Sequence, residues 1–78
     1  MPRLVFLGRL EDMAGASELQ VPAGPLADVL TGLDPELVAA LRGERIRRAL
    51  NGALLTDRAP VTLGDGDELA FLPPVSGG

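Results

Sequence analysis

The spacing of apolar residues changes repeatedly along the chain, and each change predicts an element. Leu4-Val5-Phe6-Leu7 is a continuous apolar run within Arg3–Leu10, and with an aromatic residue in it the run predicts a first β-strand. Ala14-Gly15-Ala16 supplies a turn. Glu18-Leu19-Gln20-Val21 then alternates polar and apolar, as a half-buried strand does, so the two segments predict an N-terminal hairpin. Pro22-Ala23-Gly24-Pro25 breaks the second strand and opens a helix, with Pro25 suited to the first helical position. Leu26, Val29, Leu30 and Leu33 follow at i, i+3, i+4 and i+7, one stripe facing a core. Asp34-Pro35 restarts the helical pattern, with Asp34 as N-cap, Pro35 at N1 and Glu36 near the positive end of the dipole. Leu37, Val38 and Leu41 continue the stripe. The next positions on that face, Glu44, Arg45 and Arg48, are charged, which predicts a stop at Gly43.

Strand signals resume beyond Gly43. Asn51-Gly52 tolerates the two positive φ angles of a type I′ turn and predicts a hairpin joining Arg45–Leu50 to a short strand at Ala53–Thr56. The alternative is a helix running unbroken from Pro35 to Leu50. Gly64-Asp65-Gly66-Asp67 predicts a turn and Glu68–Leu72 a last strand, which Pro73-Pro74 ends, holding the chain extended. The first and last strands are the most apolar and should lie side by side at the sheet centre. A helix across one face of a small mixed sheet defines an α+β fold, the ubiquitin-like β-grasp arrangement. Residues 1–72 form that domain, and residues 73–78 an extended tail ending in Gly-Gly.

Composition narrows the chemistry. Seventy-eight residues allow one domain, and 46% apolar content excludes disorder. With no Cys and no His, neither a disulfide nor the usual zinc ligands can staple the fold. Lys, Tyr and Trp are absent too, which removes the thiol nucleophile, the imidazole base and the Schiff-base amine together. The net charge of −4, with 3% aromatic residues, argues against nucleic acid. No apolar run approaches the roughly 18 residues of a membrane span, and no charged-then-apolar signal region opens the chain. These features predict a soluble, cytoplasmic domain that is not an enzyme on its own.

Three motifs need weighing. Residues 41–48 hold Arg42, Arg45, Arg47 and Arg48 and carry +3, against −7 for the rest. They read either as a contact for an acidic partner or as a solvated face paired to Glu44 and Glu36, and the second reading is the ordinary one. Gly-Asp-Gly-Asp-Glu lacks the ligand ladder of a calcium loop and reads as a turn. Ser76 has no base to activate it and reads as a spacer.

The C-terminal run Gly64-Asp65-Gly66-Asp67-Glu68-Leu69-Ala70-Phe71-Leu72-Pro73-Pro74-Val75-Ser76-Gly77-Gly78 closely resembles the ending of the small subunits of molybdopterin synthase. These are ubiquitin-like sulfur carriers of molybdenum-cofactor biosynthesis, and the likeness extends to Arg3–Leu10, Gly15 and Asn51-Gly52. The stretch from Pro35 to Leu50 matches least well. The resemblance implies that the Gly78 carboxylate is adenylated by a ubiquitin-activating-enzyme-like adenylyltransferase using ATP. A sulfur donor protein then converts it to a thiocarboxylate. The chain itself binds no cofactor. The tail, Pro73, Pro74, Val75, Ser76 and Gly77, would insert into the large catalytic subunit, in a heterotetramer of two small and two large subunits, and sulfur would pass to cyclic pyranopterin monophosphate. Glycines without Cβ can thread a narrow channel, and six extended residues reach about 20 Å at ~3.3 Å each. Carriers feeding thiamine synthesis or tRNA thiolation share the fold and the Gly-Gly ending, and a ubiquitin-like binding module without sulfur chemistry remains a third reading.

If Phe6 and Phe71 face the helix-covered core, Val5, Leu7, Ala70 and Leu72 project from the other side of the sheet. No helix covers that side in a β-grasp domain, so an apolar patch should be left for a partner. The resemblance places the docking residues for the large subunit at Leu7, Leu54 and Leu72.

Overall fold

The computed structural model describes residues 1–56 and 59–74. The elements in chain order are β1 (Arg3–Phe6), α1 (Arg9–Ala14), β2 (Glu18–Gln20), β3 (Gly24–Pro25), α2 (Leu26–Leu30), α3 (Pro35–Leu41), β4 (Arg47–Leu50), β5 (Ala53–Leu55), β6 (Thr62–Leu63) and β7 (Glu68–Leu72). Five strands form one mixed sheet in the order β2-β1-β7-β4-β5, and β3 and β6 form a separate two-stranded ladder. β1 and β7 are parallel neighbours, with Leu4 opposite Leu69 and Phe6 opposite Phe71. The ends of the sequence thus make the centre of the sheet, as their continuous apolar character predicted.

One face of this sheet is the core. Leu4, Phe6, Leu69 and Phe71 are at most 1% exposed, and the two phenylalanine rings stack with centroids 6.0 Å apart. Leu26, Val29 and Leu30 of α2 and Leu37 and Leu41 of α3 close over them, with Leu10, Ile46 and Leu63 filling the margins. The fold is α+β with ubiquitin-like strand order, and the helix stripes of the sequence are its upper layer.

The predicted first strand is too long. β1 ends at Phe6, and Gly8 reverses the chain at φ 58°, ψ −137°, a conformation that glycine adopts readily. Arg9–Ala14 is a helix instead, capped by Gly15 in the left-handed conformation with its amide donating to the Glu11 carbonyl. Its apolar residues Leu10, Met13 and Ala14 stand at i, i+3 and i+4, a helical signal that the strand reading of Leu10 overrode. β1 and β2 do pair antiparallel, but across this helix rather than a tight turn.

Pro25 is the N-cap of α2 rather than its first residue, because Gly24–Pro25 pairs with Thr62–Leu63. Two-residue strands carry no periodicity, so this ladder left no trace in the pattern. Asp34 caps α3 with Pro35 at N1, although its side chain makes no capping bond, and the helix ends at Leu41. Ile46 then turns inward and β4 follows, so the unbroken helix to Leu50 does not form.

Candidate functional site

The chain's C-terminal strand β7 is the middle strand of the sheet, and it delivers Pro73 and Pro74 from one end of it. Both prolines are half-buried. Pro73 lies against the turn after β1: a Cβ on Gly8 would stand 2.9 Å from the proline Cγ. The Leu7 amide donates to the Phe71 carbonyl at 3.3 Å, continuing the β1–β7 pairing to the point where the chain departs. Pro74 lines an open groove of about 620 Å³ with Arg9, Leu10 and Met13 on one side and Ala40, Gly43, Glu44, Arg45 and Ile46 on the other. The candidate residues Val75, Ser76, Gly77 and Gly78 lie outside the described residues.

The opposite face of the sheet from the core carries the predicted patch. Registers pair Val5 with Ala70, Ala70 with Ala49, and Ala49 with Leu54. Paired residues share a face, so these four make one apolar row across β1, β7, β4 and β5. Leu54 is 49% exposed at its far end, and Leu7, just beyond β1, is 42% exposed. Leu72 stands one step along β7 from the row, half-buried and paired with Arg47. The sheet thus sets Leu7 and Leu72 at the tail root, with Leu54 on the same face two strands away. Ala49 belongs to the row and was missed; the two-residue Asn51-Gly52 loop could have placed it, since it sets Ala49 opposite Leu54.

The edge of this surface is held by polar stitching at the other end of β7. Asn51 at φ 51° and Gly52 at φ 84° form the predicted turn. The Asn51 amide NH2 donates to Asp67 Oδ1 at 3.0 Å, and its Oδ1 accepts from the Glu68 amide at 2.9 Å. Asp67 Oδ2 accepts from the Gly64 amide at 2.8 Å, closing the Gly64–Asp67 turn. The Asn51 and Gly64 donors hold the Asp67 carboxyl below its ordinary value of 3.8. Of the Gly-Asp-Gly-Asp-Glu carboxylates, Asp67 closes the turn, while Asp65 pairs with the Met1 ammonium and Glu68 with Arg3. Among the described residues no group of three or more acidic side chains is placed to hold a metal ion.

The pairing expected for the arginine cluster is not the one found. Among the described residues, ion pairs join Met1 to Asp65 and Arg3 to Glu18 and Glu68, and none joins Arg45 or Arg47 to Glu44 or Glu36. Arg48 instead reaches across to the Ala59 carbonyl at 3.4 Å.

A mixed sheet with parallel terminal strands, helices on one face and the last strand central defines a ubiquitin-like domain whose central strand leads into Pro73 and Pro74. The chain belongs to the ThiS family, whose model matches residues 4–78. It is 30% identical over 83 aligned positions to the molybdopterin synthase sulfur carrier subunit of Escherichia coli (strain K12), covering 100% of both chains. Among solved structures it is similar to small archaeal modifier protein 1 of Methanosarcina acetivorans, at TM-score 0.77 and 28% identity, covering 99% of this chain and 95% of that one. It is also similar to small archaeal modifier protein 1 of Haloferax volcanii, at TM-score 0.74 and 27% identity, covering 99% and 98%. The fold and family are those of ubiquitin-like sulfur carriers.

Proposed function

We propose that this chain is the sulfur-carrying small subunit of a molybdopterin synthase, active in the cytoplasm on the Gly78 carboxylate. The observation that carries the reading is the tail root itself: β7 runs through the apolar face and releases Pro73 and Pro74 beside Leu7 and Leu72. A large subunit docked on that face would receive the following residues directly in its active site. The full-length relationship to the E. coli sulfur carrier subunit supports the pathway.

The chemistry follows from the terminus. A carboxylate is a poor electrophile; reaction with ATP on an activating enzyme releases pyrophosphate and leaves an acyl adenylate. A hydrosulfide equivalent supplied by a donor protein attacks the acyl carbonyl and AMP leaves, giving the thiocarboxylate; once that sulfur is bonded to cyclic pyranopterin monophosphate, water cleaves the acyl–sulfur bond and returns the Gly78 carboxylate. With no cysteine in the chain, the terminus is the place for a carried sulfur. Intact mass after incubation with activating enzyme, ATP and sulfur donor tests the reading: one oxygen should be exchanged for sulfur, and loss of Gly78 should abolish turnover in a reconstituted synthase without unfolding the domain. A Gly78-deleted chain that still supports turnover would refute it.

The likeness to small archaeal modifier proteins favours a second reading, in which the activated terminus is transferred to an amine of another protein. An amide-linked adduct in the same mass experiment, in place of a thiocarboxylate, would select it. Thiocarboxylate formation without pyranopterin turnover would point to a carrier for thiamine or tRNA thiolation.

A further inference from the structure

Asn51 is the chain's only asparagine, and the residue after it is a glycine. That pair carries chemistry as well as a turn. The Gly52 backbone nitrogen can attack the Asn51 side-chain carbonyl carbon. A C–N bond forms, the bond from that carbon to Nδ2 breaks, and Nδ2 leaves as ammonia with the proton that Gly52 gives up. Water then opens the five-membered succinimide at either carbonyl, giving aspartate or isoaspartate. One water enters and one ammonia departs. Glycine hinders this ring closure least, because it has no Cβ. Both residues are exposed here, and a Cβ on Gly52 would meet nothing within 4 Å. Among the described residues the Gly52 amide donates to no other group.

Against this reactivity stands a clamp on the side chain. Asn51 Nδ2 donates to Asp67 Oδ1 at 3.0 Å, and its Oδ1 accepts from the Glu68 amide at 2.9 Å. A carboxylate only accepts and an N–H only donates, so the two partners fix which end of the carboxamide points where. The Asn51 amide also donates to the Glu68 carbonyl at 2.8 Å. The side chain is thus tied across to the start of β7, and turning its carbonyl carbon onto the Gly52 nitrogen breaks that hold.

The same contact gives the reaction a consequence. Aspartate at position 51 has no donor for Asp67 and sets a second carboxylate where Nδ2 lay, against a carboxyl already held below its ordinary value. Isoaspartate routes the main chain through the former side-chain carbon, lengthening the two-residue turn that sets Ala49 opposite Leu54. Either product loosens β5, the edge strand that carries Leu54. We propose that Asn51 is a deamidation site guarded by Asp67, and that its conversion is a one-way chemical switch that weakens the β4–β5 hairpin and with it the open face of the sheet. Only the meaning of losing Leu54 as a docking residue rests on the proposed function.

The test incubates the full chain in warm, mildly alkaline buffer and follows intact mass and anion exchange. These register the replacement of NH by O and the added negative charge, and peptide mapping separates Asn51 from Gln20. Asp67→Ala should react about tenfold faster than the parent, the weight of one hydrogen bond to a charged group. Val29→Ala, a truncation in the helix-covered core, leaves the clamp in place and should stay within about twofold, because opening at the turn is local. Amide correlation spectra establish that both variants are folded. Urea-denatured parent, which lacks the clamp, makes the same comparison without a substitution and should also react about tenfold faster than the folded chain. The deamidated fraction, purified by charge, should unfold at lower urea concentration than the parent and lose amide protection over Ala53–Leu55. None of these measurements involves a second protein, so failure of the proposed function leaves them untouched. Equal rates in folded and denatured parent, or equal acceleration by Asp67→Ala and Val29→Ala, would overturn the guard. A denatured parent that forms no deamidated product would overturn the site. A deamidated chain with unchanged urea midpoint and protection would overturn the switch.

Discussion

The two faces of the five-stranded sheet are built from the same strands and nearly the same residue types, yet they do different work. On one face Leu4, Phe6, Leu69 and Phe71 vanish beneath α2 and α3. On the other, Val5, Ala70, Ala49 and Leu54 form a row outside the buried core cluster, and Leu54 and Leu7 stay exposed. Burial of the first face stabilises the domain. The second face leaves apolar surface in water, which a soluble strand would ordinarily relieve by alternating with polar residues. Size sharpens the contrast: a domain of 78 residues has little core to spare, and it still places leucines where they stabilise no fold of its own.

The comparison breaks most readily at the core. Phe71→Ala removes a ring packed against Phe6 and should cost about 3–5 kcal/mol, which is comparable with the whole stability of a domain this small. Thermal unfolding followed by circular dichroism should find the variant largely unfolded at 25 °C. Leu54→Arg, on the other face, should leave the folding stability within about 0.5 kcal/mol of the parent. Calorimetric titration of the folded variant against a large subunit should show affinity reduced more than tenfold, over ~1.4 kcal/mol. A core-sized loss of stability in Leu54→Arg would erase the distinction between the faces, and unchanged affinity would move the interface elsewhere.

The smallest effect concerns the stitching that sets the register of both faces. Asp67 has a depressed pKa when folded, so its contribution to stability is present above about 3.8 and is lost as the pH falls through the folded value. Asp67→Asn should be less stable than the parent near neutral pH, and the difference should narrow on acidification. Urea midpoints measured from pH 6 down to pH 2.5 test this. A difference that stays constant over that range would assign the role of Asp67 to shape rather than charge.

Much of this architecture is local and therefore readable from the chain. Asn51-Gly52 dictates its own turn because few other pairs accept two positive φ angles, and that turn alone sets Ala49 against Leu54. The apolar runs at Leu4–Leu7 and Leu69–Leu72 report strands buried on the core side and apolar on the open side, so the sheet centre and the open patch were both legible. The leucine stripes report α2 and α3 for the same reason, since period follows backbone geometry, although α2 stops at Leu30 and Leu33 of its stripe falls in the turn beyond it. What the chain could not announce depends on partners remote in sequence. Gly24–Pro25 becomes a strand only because Thr62–Leu63 lies beside it, and Leu10 is buried by α1 rather than by extending β1 only because Gly8 turns the chain under Pro73. The arginines are the clearest case. Sequence neighbours suggested Glu44 and Glu36 as their counter-ions, but side-chain pairing is decided by distance in space, and the fold carries Arg45 and Arg47 to the tail root, where neither glutamate pairs with them.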